Sequence, residues 1–90
     1  AGNRVPLFQT PGLVEVLVNA GRAGAINDIK ENGLWALASL ADAADNRVAM
    51  FRTPGLVEAL HAAARDGLTN AIKRWGLVAL ANLAGKNDIA

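Results

Sequence analysis

The sequence contains no cysteine and no tyrosine, and it has a single histidine among 90 residues. Without cysteine the chain forms neither a disulfide nor a thiolate metal site, which fits an intracellular location, cytoplasmic or nuclear. The lone His61 has no fixed acidic partner, so it is better interpreted as a helix-surface or interface residue than as a ligand or base. We therefore expect no metal site and no cofactor.

A large excess of charge is also missing, because nine basic residues face eight acidic ones and leave a net charge of +1. This balance argues against nucleic-acid binding through phosphate neutralisation. The pair Lys73-Arg74 beside Trp75 resembles a phosphate-contacting patch, but a solvated helix start is the preferred interpretation. No apolar run approaches the roughly 18 residues of a transmembrane helix, so no membrane contact is expected.

Catalytic patterns are absent as well. Ser39 is the only serine and lacks a nucleophile elbow, the glycines form no phosphate-cradling loop, and the carboxylates are spread along the chain. No pair of carboxylates stands out as an acid and a base in different environments. The sequence predicts a protein that is not an enzyme.

What the chain does contain is an internal repeat with a spacing of 43 residues, seen for example in Thr10–Glu15, which returns unchanged as Thr53–Glu58. Laying residues 1–41 on residues 44–84 gives 25 identities in 41 pairs without a gap. A fixed period of this size is typical of arrays in which each unit stacks on the next.

Each repeat predicts three helices, because Ala and Leu dominate and Gly and Pro fall at punctuating positions. Thr10-Pro11 and Thr53-Pro54 predict helix starts with a hydroxyl cap and proline in the first position, and Gly24 and Gly67 predict helix ends. The predicted caps of the other helices are Asp45 or Asn46, Asn27, and Thr69 or Asn70. Gly33 and Gly76 lie in mid-helix and predict close approach by a neighbouring helix.

These features resemble the armadillo repeat family, particularly in the third-helix ending Leu34-Trp35-Ala36-Leu37-Ala38-Ser39-Leu40-Ala41 and its second copy at residues 77–84. The resemblance implies an all-α fold, a right-handed α-solenoid of two three-helix repeats. The whole chain, 1–90, would be one domain, with repeat one at 1–43, repeat two at 44–86 and a tail at 87–90. Members of this family bind extended peptide segments along a concave face of third helices.

The differences between the two copies point to the same surface. Between Ile29 and Ala41 only four of 13 positions differ from the second copy, and at 100° per residue they share an arc of about 100°. We expect the constant face to pack and the variable face to look outward. A functionless solvent face would also vary, but exposed aromatic residues favour an interaction surface. The candidate groove residues are Glu31, Asn32, Trp35, Ser39, Arg74, Trp75, Val78 and Asn82.

In the armadillo pattern a groove Trp is followed four residues later by Asn. Here the first copy has Trp35 with Ser39, and the second has Val78 with Asn82, so neither copy carries the full pair. The resemblance implies that Trp35 supplies an apolar slot and that Ser39 and Asn82 hydrogen-bond a peptide backbone. Glu31 and Arg74 would select side chains.

The sequence lacks terminal capping repeats with a polar outer face, and this predicts exposed apolar end faces and self-association. A closed dimer is expected, since head-to-tail stacking would continue into a filament. Two functions therefore stay open: a non-catalytic interaction scaffold that binds an extended peptide, or a minimal or engineered repeat unit whose main property is self-association. The predicted self-association residues are Val5, Leu7, Phe8, Leu80 and Leu83.

Overall fold

Six helices make up the part of the chain that a computed structural model describes, residues 2–85. The predicted tail at 87–90 lies outside the described residues. The prediction of an all-helical chain is confirmed, and the fold is small and repeat-like. The helices are α1 (Arg4–Phe8), α2 (Leu13–Ala23), α3 (Asn27–Ala41), α4 (Ala44–Phe51), α5 (Leu56–Asp66) and α6 (Asn70–Leu83).

The predicted starts at Thr10 and Thr53 are wrong. The second and fifth helices begin three residues later, after Gly12 and Gly55, whose φ angles of 79° and 81° place them in the left-handed region. The threonine hydroxyls instead donate backwards, Thr10 to the Pro6 carbonyl at 3.1 Å and Thr53 to the Ala49 carbonyl at 2.9 Å. They satisfy carbonyls that the end of a helix leaves without an amide partner.

Other helix boundaries divide into right and wrong predictions. Gly24 and Gly67 follow the last residues of α2 and α5, and the Thr69 hydroxyl accepts a hydrogen bond from the Ile72 amide, as predicted. The predicted caps at Asn27 and at Asp45 or Asn46 are wrong, because α3 and α4 start without a side-chain cap. A polar residue near a helix start is therefore not a reliable cap in this chain.

The core forms where the two longest helices, α3 and α6, pack side by side, with α2 against α3 and α5 against α6. The second and fifth helices also touch each other, and α4 lies against α3. The largest fully buried apolar side chains are contributed by both halves of the sequence: Leu34, Leu37, Met50, Leu56 and Leu60.

Gly33 and Gly76 allow the close helix contacts that their positions predicted. A Cβ on Gly33 would lie 2.9 Å from the Gly21 amide nitrogen, and a Cβ on Gly76 would lie 2.9 Å from the Ala64 amide nitrogen. Both distances are below the closest approach of a real Cβ. The absent side chains let α2 meet α3 and α5 meet α6 backbone to backbone.

Candidate functional site

Two tryptophans from different halves meet on the surface where α3 runs beside α6. The rings of Trp35 and Trp75 contact edge to face, with centroids 6.5 Å apart and planes inclined at 63°. The guanidinium of Arg74 lies 5.3 Å from the centroid of the Trp75 ring. Trp35 remains 53% exposed, although an indole is costly to leave in water. An exposed indole held beside a half-buried one is a feature of recognition surfaces.

A groove adjoins the Trp75 side of this pair and crosses from α3 to α6. This interhelical groove has a volume of about 170 Å³. Its polar groups come from both halves, and its apolar wall is formed by an indole, a valine and an alanine. It is lined by Arg4, Ala38, Ser39, Asp42, Trp75, Val78 and Asn82.

A second groove adjoins the Trp35 side and lies at the amino-terminal end of the molecule. This end groove has a volume of about 340 Å³ and is lined mainly by aliphatic side chains from the first three helices. Ser39 and Arg4 border both grooves. The end groove is lined by Asn3, Arg4, Leu7, Leu13, Leu17, Trp35, Ala36, Ser39 and Leu40.

An ion pair borders the interhelical groove, and its arginine also lines the end groove. Arg4 Nη2 lies 3.5 Å from Asp42 Oδ2, and the two side chains are 33% and 38% exposed. At this exposure solvent weakens the attraction considerably, so the pair orients its members more than it stabilises the fold. Sequence comparison could have drawn attention to Arg4, since Asn3-Arg4 recurs as Asn46-Arg47, but it gave no sign that Arg4 would meet Asp42.

Of the eight predicted groove residues, five line at least one of the two grooves: Trp35, Ser39, Trp75, Val78 and Asn82. Glu31 lies outside both and accepts a hydrogen bond at Oε2 from the Thr69 hydroxyl, at 2.8 Å. Asn32 and Arg74 are exposed, and Arg74 stacks on Trp75. Glu31 thus joins α3 to the start of α6, a structural contact that the sequence did not indicate.

The expectation that Asn82 faces outward is wrong. Its side chain is 5% exposed, and its Nδ2 donates to the Ala38 carbonyl at 2.9 Å, so it ties α6 to the backbone of α3. Its Oδ1 is also buried and has no hydrogen-bond partner within residues 2–85. Asn82 is buried because α6 packs against α3 at this point, where its amide bonds a backbone carbonyl of that helix.

The five residues predicted to drive self-association do not share one environment. Leu7 is 45% exposed and lies in the end groove. The other four are half-buried, and three of them, Phe8, Leu80 and Leu83, pack against the core. The fourth is Val5. Leu7 is therefore the most accessible of the five.

Two buried polar residues hold α4 against the end of α3; the sequence suggested one of them, Asn46, only as a possible helix cap. Asn46 donates from Nδ2 to the Leu40 carbonyl at 2.9 Å and to the Arg4 carbonyl at 3.1 Å. Arg47 donates from Nε to the Ala41 carbonyl at 2.9 Å and from Nη2 to the Asp42 carbonyl at 3.1 Å. A cation at the carboxyl end of a helix also complements its dipole. The recurrence of Asn-Arg in both copies was the signal available.

Metal-ligating side chains do not gather in the part of the chain that the structure describes, where no three His, Asp or Glu residues form a cluster. His61 is exposed on α5. The longest helix described, α3, has 15 residues, and no described helix combines the length and apolarity that crossing a membrane requires.

Comparisons with protein-family models, with curated proteins and with solved structures find no match to this chain. The chemistry of the surface described above is therefore the basis for assigning a function.

Proposed function

We propose that this chain is a non-catalytic protein-interaction module of the armadillo type, built as a right-handed solenoid of two three-helix repeats. Its ligand is an extended peptide segment of another protein, bound across α3 and α6. The proposal is supported by the sequence period of 43 residues and by helices of similar length at corresponding positions in both halves. The side-by-side packing of α3 and α6 agrees with it.

The observation that carries the proposal is the exposure of Trp35 beside Trp75. Burying an exposed indole against a ligand gains apolar contact at little cost in side-chain entropy, which is why Trp is enriched among binding hot spots. The edge-to-face contact with Trp75 holds the ring in place before a ligand arrives. Preorganisation of this kind lowers the entropy cost of binding.

The interhelical groove offers the polar partners that a peptide backbone needs. The Ser39 hydroxyl can donate one hydrogen bond and accept others. Asp42 and Arg4 stand on the rim as paired charges. The flat faces of the indoles suit aliphatic side chains and the stems of Lys and Arg. Asn82 supports the groove from beneath through its bond to Ala38 and takes no part in holding the peptide backbone.

The experiment is a selection of peptides from a phage-displayed library of unstructured segments, followed by titration of synthetic hits. Since the chain has two tryptophans and no tyrosine, its intrinsic fluorescence reports only on Trp35 and Trp75. We expect peptide binding to shift the tryptophan emission. Trp35→Ala should weaken binding by at least about tenfold, a typical hot-spot loss.

The matched control is Phe51→Ala, which removes an aromatic ring that is 69% exposed on α4 and lines neither groove. This variant should bind selected peptides with unchanged affinity. Equal losses in Trp35→Ala and Phe51→Ala, or no enriched peptide at all, would contradict a peptide site at the tryptophan pair.

A further inference from the structure

The interface between the two halves uses two different faces of the repeated unit. One is the leading face of the second half, where Met50, Leu56 and Leu60 are completely buried and where α4 and α5 pack against helices of the first half. The residues 43 positions earlier are Leu7, Leu13 and Leu17. Leu7 is 45% exposed, the other two are half-buried, and all three line the end groove. The first half therefore carries the same leading face, uncovered.

The other face is the trailing face of the first half, where Val18, Leu34 and Leu37 are buried and where α2 and α3 pack against α5 and α6 of the second half. Their counterparts in the second half are His61, Leu77 and Leu80. His61 is exposed, Leu77 is 57% exposed, and Leu80 is half-buried. The second half thus carries the same trailing face, also uncovered.

The polar contacts of the interface have counterparts at the ends as well. Asn46 and Arg47 reach the carbonyls of Leu40, Ala41 and Asp42. Their counterparts Asn3 and Arg4 are the same residue types, and Asn3 is exposed. The carbonyls that these would reach belong to the corresponding positions of a trailing face: Leu83, Ala84 and Gly85.

We propose that a second copy of this chain docks head to tail, with the trailing face of one copy on the leading face of the next. The contact repeats the interface that already joins the two halves, so its occupant is specified by residues of the chain itself. The end groove receives Leu77 and Leu80 of the neighbouring copy, which stand at the positions of the buried Leu34 and Leu37 in the first half. Asn3 and Arg4 donate to the carbonyls at the carboxyl end of the neighbour's α6.

This arrangement differs from the closed dimer expected from the sequence. A two-fold dimer would pair a leading face with a leading face, or a trailing face with a trailing face, and the chain provides a template for neither. The pairing of a leading with a trailing face already exists in the chain, as the interface between its two halves. Each head-to-tail complex still has one free leading face and one free trailing face. Further copies therefore add to it as the protein concentration rises.

Four residue differences, at three contacts of the interface, make the contact between copies weaker than the contact within the chain. His61 replaces Val18, Ser39 replaces Asn82 in its bond to a helix carbonyl, and the Thr69–Glu31 hydrogen bond becomes an Ile26–Arg74 pair. Each change removes an apolar or hydrogen-bonded contact. Assembly is therefore reversible, and the average mass rises with protein concentration.

The test measures molar mass by sedimentation equilibrium for two variants, separately and mixed. Leu7→Asp places a charge on the leading face, and Leu77→Asp places one on the trailing face. Each should raise the dissociation constant by more than about thirtyfold, so that each variant alone is a monomer of 9.3 kDa. Mixed in equal amounts, they should form a 1:1 complex of twice 9.3 kDa, because each variant keeps one intact face.

The alternatives give different results. If copies met by leading faces only, Leu77→Asp alone would still dimerise, and if they met by trailing faces only, Leu7→Asp alone would do so. Either outcome, or a wild-type chain that stays monomeric at millimolar concentration, overturns the proposal. The matched control is Leu68→Asp in the α5–α6 connection, where Leu68 is 79% exposed. It should assemble like the wild type.

A gain-of-assembly variant tests the proposal without a damaging charge. His61→Val combined with Ser39→Asn restores the residues that the internal interface uses at those two positions. We expect the average mass at a fixed concentration to rise above that of the wild type, and the dissociation constant to fall by at least about tenfold. An unchanged mass would contradict the register. Circular dichroism of every variant shows whether its helices are intact.

Discussion

Leu34 in the first half and Leu77 in the second occupy the same position of the same helix type, yet Leu34 is completely buried and Leu77 is 57% exposed. The opposite holds on the other face, where Met50 is completely buried and its counterpart Leu7 is 45% exposed. The residues are alike and the neighbours are not. Whether one of these side chains is buried depends on whether the other half of the molecule packs on that face. The local sequence does not determine it.

Polar residues repeat the comparison. Arg47 is 8% exposed and donates to two carbonyls at the end of α3. Arg4, its counterpart, is half-buried and pairs with Asp42 at 3.5 Å on a solvated rim. The same side chain is thus a structural tie in one half and a surface charge in the other. Three stability measurements can break or sharpen this comparison.

The largest effect is expected from Leu34→Ala. Removing a fully buried leucine typically costs between 2 and 5 kcal/mol, and we expect about 3 kcal/mol in the free energy of unfolding. Leu77→Ala, the same substitution at the counterpart position, should cost less than about 1 kcal/mol, since over half of that side chain is already in water. Urea unfolding of dilute protein measures both.

Equal losses at these two leucines would show that the two halves have equivalent surroundings in solution. Such a result would contradict the asymmetry of burial described above. Working at low concentration matters, because association of copies through the trailing face would partly bury Leu77 and reduce the difference.

The second effect concerns the two arginines. Arg47→Met keeps much of the aliphatic volume but leaves the Ala41 and Asp42 carbonyls without their charged donor, so we expect a loss of about 2 kcal/mol. Arg4→Met breaks only a partly exposed ion pair and should cost less than about 1 kcal/mol. Chemical unfolding of the two variants side by side provides the measurement. A larger loss at Arg4 would reverse the assignment of structural roles.

The smallest effect is a gain. The helix α3 starts after Ile26 without a side-chain cap, whereas α6 starts after Thr69, whose hydroxyl accepts from the Ile72 amide at 3.1 Å. Ile26 is 57% exposed, so Ile26→Thr loses little apolar contact and should stabilise the fold by about 0.5–1 kcal/mol. Thermal unfolding should show a higher midpoint. Ile26→Val, which has no hydroxyl, is the matched control and should show no gain.

The helical character of the chain, the ends at Gly24 and Gly67, and the close approach at Gly33 and Gly76 could be predicted from sequence. Each of these features depends on local composition or on the position of a glycine, and both can be read directly from the sequence. The starts at Thr10 and Thr53 could not, because a hydroxyl before proline can cap the following helix or close the preceding one. The left-handed Gly12 and Gly55 favour the second arrangement.

The candidate surface was predicted in part. The arc of variable positions includes four residues that line the two grooves: Trp35, Ser39, Trp75 and Val78. It misplaced Asn82, because the arc describes one helix alone and the burial of Asn82 depends on how closely α6 approaches Ala38. The carbonyl contacts of Asn46 and Arg47 were missed for the same reason: their acceptors belong to the other half of the chain.

The tryptophan pair also gives the molecule an optical signature. Trp35 belongs to α3 and Trp75 to α6, and their rings lie 6.5 Å apart at an angle of 63°. Transition dipoles this close and this inclined couple as an exciton and give circular dichroism a signed doublet that neither indole produces alone. The doublet vanishes when the two helices separate, even if both remain helical. During unfolding, the loss of the doublet therefore measures when the two halves separate, independently of the loss of helix.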